Sequence, residues 1–265
     1  MRRLGKTVVP LLLILVLAVG CQQNGSGKNE ATQPAGITIL PTHTPTPWAT
    51  KEPAVHPVTA DSYLLAPQLS GSYEAIWDAY EAIPLETVVR GKGSTKASYK
   101  FVWAEDTVYV QVHVTDATPD VSGSDYLKKD SVVFYLNENG EKNEVYSIGD
   151  SYCAVDRDGT LYLGTGCDGD RFRAVCYEEL DENGESVGYY AEAALPLLTV
   201  RGKDGLTIGF DVRVNDAQDG RLAYALQWSD GSSHTDVNLH GVGLLTFGTA
   251  EENEGEGEES DESEE

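Results

Sequence analysis

The sequence predicts an all-β protein, an antiparallel β-sandwich of about ten strands. Three observations carry this. Apolar and polar residues alternate with period two in many short runs, clusters of Asp, Asn and Gly separate those runs, and helical signal is confined to one turn around Tyr73 to Tyr80. The pattern suits a single immunoglobulin- or jelly-roll-like domain with disordered ends.

In chain order, KASYKFVWA (Lys96 to Ala104) and TVYVQVHVT (Thr107 to Thr115) flank a turn at Asp106 and predict a hairpin. The second run sets Val108, Val110, Val112 and Val114 on one face and His113 on the other. DSVVFYL (Asp130 to Leu136) ends in the turn signal Asn137-Glu138-Asn139-Gly140. Ser151 to Val155 and Thr160 to Leu163 flank Asp156-Arg157-Asp158-Gly159. Phe172 to Glu178 and Val187 to Ala194 flank Asp181-Glu182-Asn183-Gly184. In LTIGFDVRVNDAQDG (Leu206 to Gly220), Ile208, Phe210, Val212 and Val214 make an oily face, and the other face carries Asp211 and Arg213. Asn215-Asp216 reads as turn chemistry, because such side chains bond their own backbone. Arg221 to Trp228 and Gly243 to Phe247 complete the set. Trp77, Trp103 and Trp228 read as core. The folded region, 61–248, is long enough to bury an ample core.

The ends differ from the middle. Arg2, Arg3 and Lys6 precede an apolar stretch, Val8 to Val19, too short for the roughly 20 residues of a membrane span. Residues 1–20 read as a signal peptide. Leu17-Ala18-Val19-Gly20-Cys21 resembles the lipobox of bacterial lipoproteins, which implies a lipid on Cys21 and anchoring to the outer face of a bacterial membrane. Cleavage by an ordinary signal peptidase would release the chain instead. Residues 21–60, rich in Thr and Pro, read as an extended tether. Residues 249–265 read as a disordered tail, with ten carboxylates and no basic residue from Ala250 onward. The net charge of −24 makes nucleic acid and anionic membrane surfaces poor partners, leaving the lipid as the membrane contact. Cys153, Cys167 and Cys176 fit either one disulfide with a free thiol or three buried thiols, and they lack zinc-ligand spacing.

Seven segments in register resemble the family 9 carbohydrate-binding modules, best known as appendages of bacterial xylanases. QLSGSYEAIWDAYEAIPLETV (Gln68 to Val88) is similar to the family's opening, with Trp77 kept. KFVWAEDTVYVQVHVTD is similar to its Trp-turn-LYV hairpin, and KDSVVFYLNENGEKN to D-S-V-E-I-F-x-D. GYYAEAALP is similar to G-Y-x-x-E-x-x-I-P, with Glu192 kept. IGFDVRVNDA, LQWSDG and HGVGLLTF are similar to I-G-F-x-x-x-V-N-D-A, W-S-D and the closing F-G-x-L-x-L. The resemblance spans roughly 68 to 248. It implies a monomeric β-sandwich that binds polysaccharide or oligosaccharide, typically xylan or glucan chain ends, with structural calcium and a separate glycoside hydrolase as an associate.

The resemblance also implies where sugar would sit. Family members clamp a pyranose between two Trp rings. The first ring's place, before D-S-V-E, holds Tyr126-Leu127 here, so Tyr126 is the candidate ring. The loop after W-S-D, GSSHTDVNLH, lacks Trp and offers His234. Val133 stands for the family's Glu, Cys153 for the Arg of the following strand, and Arg213 for the Gln before N-D-A. Arg213 presents five donors in a planar fork, which suits a carboxylate and hence acidic glycans. The alternative is an ion pair with a neighbouring acid on the sheet face. Loops dense in acids, such as Asp168-Gly169-Asp170, are candidates for calcium.

Other classes fit less well. No haem is expected: a Met/His site needs a Met, the one present is Met1, and His113, His234 and His240 would have to serve instead. No G-x-S-x-G, H-E-x-x-H or P-loop motif is present, so no enzyme activity is expected in this chain. The remaining alternative is a surface lipoprotein that kept the sandwich, lost sugar binding and acts as an interaction module.

Overall fold

The structure is a computed structural model that describes residues 55–60, 66–141, 143–232 and 234–249. The signal-like segment with Cys21, most of the tether and the acidic tail lie outside these residues. Two sheets form a sandwich. One contains β1 (Val55–Ala60), β13 (Gly243–Thr249), β11 (Thr207–Gln218), β6 (Ser131–Asn137), β7 (Asp150–Asp156) and β8 (Leu161–Leu163) in that spatial order. Onto β11 it also pairs β12 (Arg221–Gln227), which holds β3 (Thr87–Gly91). The second runs β2 (Ile83–Pro84), β4 (Lys96–Ala104), β5 (Thr107–Thr115), β10 (Ser186–Pro196), β9 (Arg173–Leu180).

Each of the ten expected strands is present. Three more are found. β2 and β3 are short and lie in the segment between the helical turn and β4. β1 falls inside the stretch read as tether, so the sheet begins before residue 61. It pairs parallel with β13, the one parallel ladder among the described residues. Pro57 is tolerated there because β1 is an edge strand, where one side of the ladder needs no donor. The helical signal near Tyr73 becomes a single 3-10 turn, Ala75–Ala79, which buries Trp77.

The core lies between the sheets. Val108, Val110, Val112 and Val114 of β5 are fully buried, facing Val132, Phe134 and Leu136 of β6 and the oily face of β11. An aromatic chain threads it: Trp228 to Tyr99 at 5.5 Å between centroids, Tyr99 to Phe210 at 5.7 Å, Phe210 to Phe101 at 5.4 Å, and Phe247 stacked on Trp103 at 5.0 Å. Such pairs add about 0.5–1.5 kcal/mol each beyond area burial. All three predicted core tryptophans are buried.

At one end Arg157, just past β7, joins the sheets. It donates to Glu178 on β9 (2.7 and 2.8 Å), Asp116 after β5 (3.2 Å), Asp130 before β6 (3.4 Å) and Ser186 on β10 (2.8 Å), and lies over the Tyr189 ring at 4.7 Å.

Candidate functional site

The outer face of the eight-stranded sheet is built from alternate residues of three central strands. In register, β11 sets Asp211 beside Tyr135 of β6 and Arg213 beside Val133, and β6 sets Tyr135 beside Tyr152 of β7. The loop after β12, Trp228 to Val242, folds back over this face. Val133, Tyr135, Ala154, Leu239 and Val242 form a small apolar cluster, and Tyr126, Tyr146, Tyr152 and Tyr162 pack against it. Ring centroids are 5.6 Å apart for Tyr126 and Tyr162, 6.0 Å for Tyr135 and Tyr152, and 5.6 Å for Tyr146 and Tyr152.

Asp211 holds the loop in place. It is fully buried and accepts from Gln227 Nε2 (2.9 Å) and from the backbone N–H groups of Val212 (2.8 Å), Ser229 (3.1 Å) and Asp230 (2.8 Å). Burial pushes its pKa up to about 7, against the pull of those donors. Thr235 extends the lacing, donating to Asp230 at 2.9 Å and accepting from Gln227 at 2.7 Å. Tyr146 donates to the Thr235 carbonyl at 2.8 Å.

Arg213 lies at the centre and is 4% exposed. Its Nη1 donates to Asp236 at 3.2 Å and its Nε to Asn215 at 3.0 Å; Tyr135 donates to the same Asp236 at 2.7 Å. Burial works against the charge on Arg213, but Tyr135 and Asp236 outweigh it, and the pKa rises. Tyr126 sits in the 3-10 turn Tyr126–Lys128, capped by Asp125, whose side chain accepts from Leu127 N. Burial first, then Asp236 and Tyr152, push its hydroxyl pKa up. The face is thus a half-buried phenol surface around one guanidinium, and it can offer rings to apolar ligand faces and donors to oxygens.

The structure therefore brings Tyr126 and Arg213 together, with Asp236 acting on both. His234 is on the same loop, two residues from Asp236, but exposed at the rim. Two expectations are corrected. Asn215-Asp216 is not a turn: β11 continues to Gln218, and Asn215 is fully buried, donating to Ser131 at 3.0 Å. The strand's period carries Asn215 onto the same covered face as Arg213. Cys153 faces the core, so Tyr152, one residue earlier, holds the outward place assigned to it. The residues not anticipated, Tyr135, Tyr152 and Asp236, were traceable only through strand register and the fold of a loop. His113 lies on the other sheet, bonded to Glu179 at 2.7 Å and stacked on Tyr190 at 4.5 Å, away from His234 and His240.

A second cluster lies beside Arg157. Asp116, Asp130 and Asp216 bring carboxylate oxygens within 4.8 Å of one another. Burial pushes Asp130 up to about 7 and also raises Asp216, which pairs with Thr95. These are hard oxygen donors whose charge Arg157 only partly offsets, so they fit a calcium ion. Asp168 and Asp170, expected for that role, are bonded to each other through Asp170 N at 3.1 Å and lie outside this cluster.

Residues 69–246 match the family described as carbohydrate family 9 binding domain-like. Among curated relatives, an exoglucanase of Acetivibrio thermocellus is 28% identical over 180 residues, covering 68% of this chain and 16% of that protein. An endo-1,4-beta-xylanase of Thermoanaerobacterium saccharolyticum is 27% identical over 180 residues, covering 68% and 15%. The chain thus spans about a sixth of the length of these relatives. Among solved structures, a family 9 carbohydrate-binding module of Caldicellulosiruptor kristjanssonii in complex with glucose superposes with a TM-score of 0.66. It is 22% identical and covers 76% of this chain and 98% of its own; the same module with cellotriose gives 0.65.

Proposed function

This chain belongs to the carbohydrate family 9 binding domain-like family, and from that premise we propose that it is a non-catalytic carbohydrate-binding protein, held by a lipid on Cys21 at the outer face of a bacterial membrane. One observation supports the reading above others: the outer sheet face that carries Arg213 is lined by Tyr126, Tyr146, Tyr152 and Tyr162. Phenol rings take over the role that the resemblance gives to tryptophans, stacking against the C–H face of a pyranose. The similar modules solved with glucose and cellotriose support glucan chains as one ligand class. The Arg213 fork adds a preference for uronate-bearing xylan, since charge-assisted bonds are roughly twice as strong as neutral ones. Calcium, held by Asp116, Asp130 and Asp216, would brace the strand ends beside Arg157.

A second reading has its own observation. Asp236 lies across Arg213, and the tyrosines pack on one another, as in a sandwich retained for structure and protein contacts. Calorimetric titration with cello-oligosaccharides, xylo-oligosaccharides and glucuronate-bearing xylan, with and without calcium, separates the two. Saturable heats that vanish in Tyr152→Ala support the first reading. No binding to any of them supports the second.

A further inference from the structure

Three cysteines stand as thiols among the described residues, and two of them lie on adjoining segments of one sheet edge. Cys153 lies on β7 and is fully buried in the core; Cys167 follows β8 and packs half-buried against the same core cluster. β7 pairs with β8 through Cys153 and Leu163, which places Cys167 four residues beyond Cys153's own partner. The loop between is tight. Gly164 N donates to the Tyr152 carbonyl at 3.0 Å, Tyr152 N to the Thr165 carbonyl at 3.2 Å, and Cys167 Sγ to the Tyr152 carbonyl at 3.0 Å. A Cβ on Gly164 would come within 2.3 Å of the Tyr152 ring, so this loop cradles a ring of the candidate site.

We propose that Cys153 and Cys167 are a disulfide site, oxidised by exchange with an external disulfide, and that the bond clips the loop backing Tyr152. The Cys167 thiol reaches the backbone carbonyl of the residue just before Cys153, and both cysteines pack in the same core cluster. Consistent with that placement, each shifts the other, Cys153 upward and Cys167 downward. Cys167 is the attacking group, because it is partly exposed while Cys153 is fully buried. Its thiolate forms a mixed disulfide with the external reagent and expels one thiol. Cys153 then loses its proton and displaces the second thiol. Two protein thiols are oxidised, and one external disulfide is reduced to two thiols. Cys176 lies on β9, in the other sheet, and is shifted upward by burial and then by Glu178. It remains a thiol. This inference does not depend on which ligand the outer face binds.

The test equilibrates the full chain with oxidised glutathione, blocks remaining thiols with one alkylating label under denaturant, then reduces and applies a second label. Peptide mass spectrometry should find Cys153 and Cys167 carrying the second label and recovered as a linked pair before reduction, with Cys176 carrying the first. Cys167→Ser should return Cys153 to the first label, and Cys176→Ala should leave the linked pair intact. Reduction of the oxidised protein should lower its Tm by about 6–12 °C, from a closed loop of about 15 residues in a domain of this size. Full first-label modification of Cys153 in the wild-type chain, or a linked peptide that pairs Cys167 with Cys176, overturns the assignment.

Discussion

Replacing Arg213 with Gln tests the centre of the outer face. The guanidinium is 5% exposed and its partner Asp236 27% exposed. The substitution removes the guanidinium alone: Asp236 can turn to water and keeps its bond from Tyr135, while the buried Asn215 oxygen loses its Nε donor. The cost should therefore fall below the 3–5 kcal/mol of breaking a fully buried pair, near the ~1.5–3 kcal/mol of a hydrogen bond to a charged group. At about 2–4 °C per kcal/mol, Tm should drop by about 3–12 °C. If the fork also meets a ligand carboxylate, uronate-bearing xylan should bind about 10–150-fold more weakly, while neutral oligosaccharides change by less than about threefold. Titration of both glycans against wild type and Arg213→Gln, with thermal melts of each, reads the two effects separately. Unchanged affinity for every glycan, with the Tm loss present, would leave Arg213 as an ion-pair residue of the sheet and refute its binding role.

Stability should also depend on pH in an unusual direction. Asp211 and Asp130 are both pushed up to about 7 by burial, so between roughly pH 4 and 7 the folded state holds protons that the unfolded chain has released. Their contribution is full below about pH 4 and is lost as pH rises through 7. Asp106, Asp120, Asp156 and Glu178 are lowered and contribute in the opposite sense, losing their share in strong acid. Thermal melts should therefore peak near pH 5 and fall by several degrees at pH 8; a Tm that climbs from pH 5 to pH 8 in the absence of divalent ions contradicts this. Calcium should raise Tm at pH 7.5 more than at pH 5, where protons compete for Asp130, and Asp216→Asn should blunt the effect; a chelator that leaves Tm unchanged removes the proposed ion. Cys21→Ser should move the protein from the membrane fraction to the medium, and retention on the membrane would count against the anchor.

The strands were legible because their chemistry is local. Alternation over β4, β5 and β11 marks which residues face inward, and Asp-Gly or Asn-Gly turns mark where the chain reverses. β1 escaped because VHPVTA is short, carries Pro57 and gains its strand conformation from a partner nearly two hundred residues away. The site was only partly legible for the same reason. Arg213 and Tyr126 sit at positions that a motif comparison can mark. Asp236, which pairs with Arg213, lies in a loop whose path is set by Asp211, and no spacing in the sequence links those two acids. Asn215-Asp216 misled because turn chemistry and a buried strand polar group use the same residue types. Only the carboxamide's partners, Arg213 and Ser131, distinguish them.

The Arg157 hub has a consequence for how the molecule breathes. A two-sheet sandwich can in principle part at one end while the other stays closed, and each sheet would then exchange its amide hydrogens on its own schedule. Here one guanidinium holds carboxylates from both sheets, and releasing it strands the buried pair Asp116 and Asp130 together. Opening at this end is thus all or nothing, so β7 and β10 should form one cooperative unit in native-state hydrogen exchange. The loop over the outer face is tied by Asp211 rather than by Arg157, so its opening should be a separate event from the parting of that end. The protein can loosen its outer face without loosening its core.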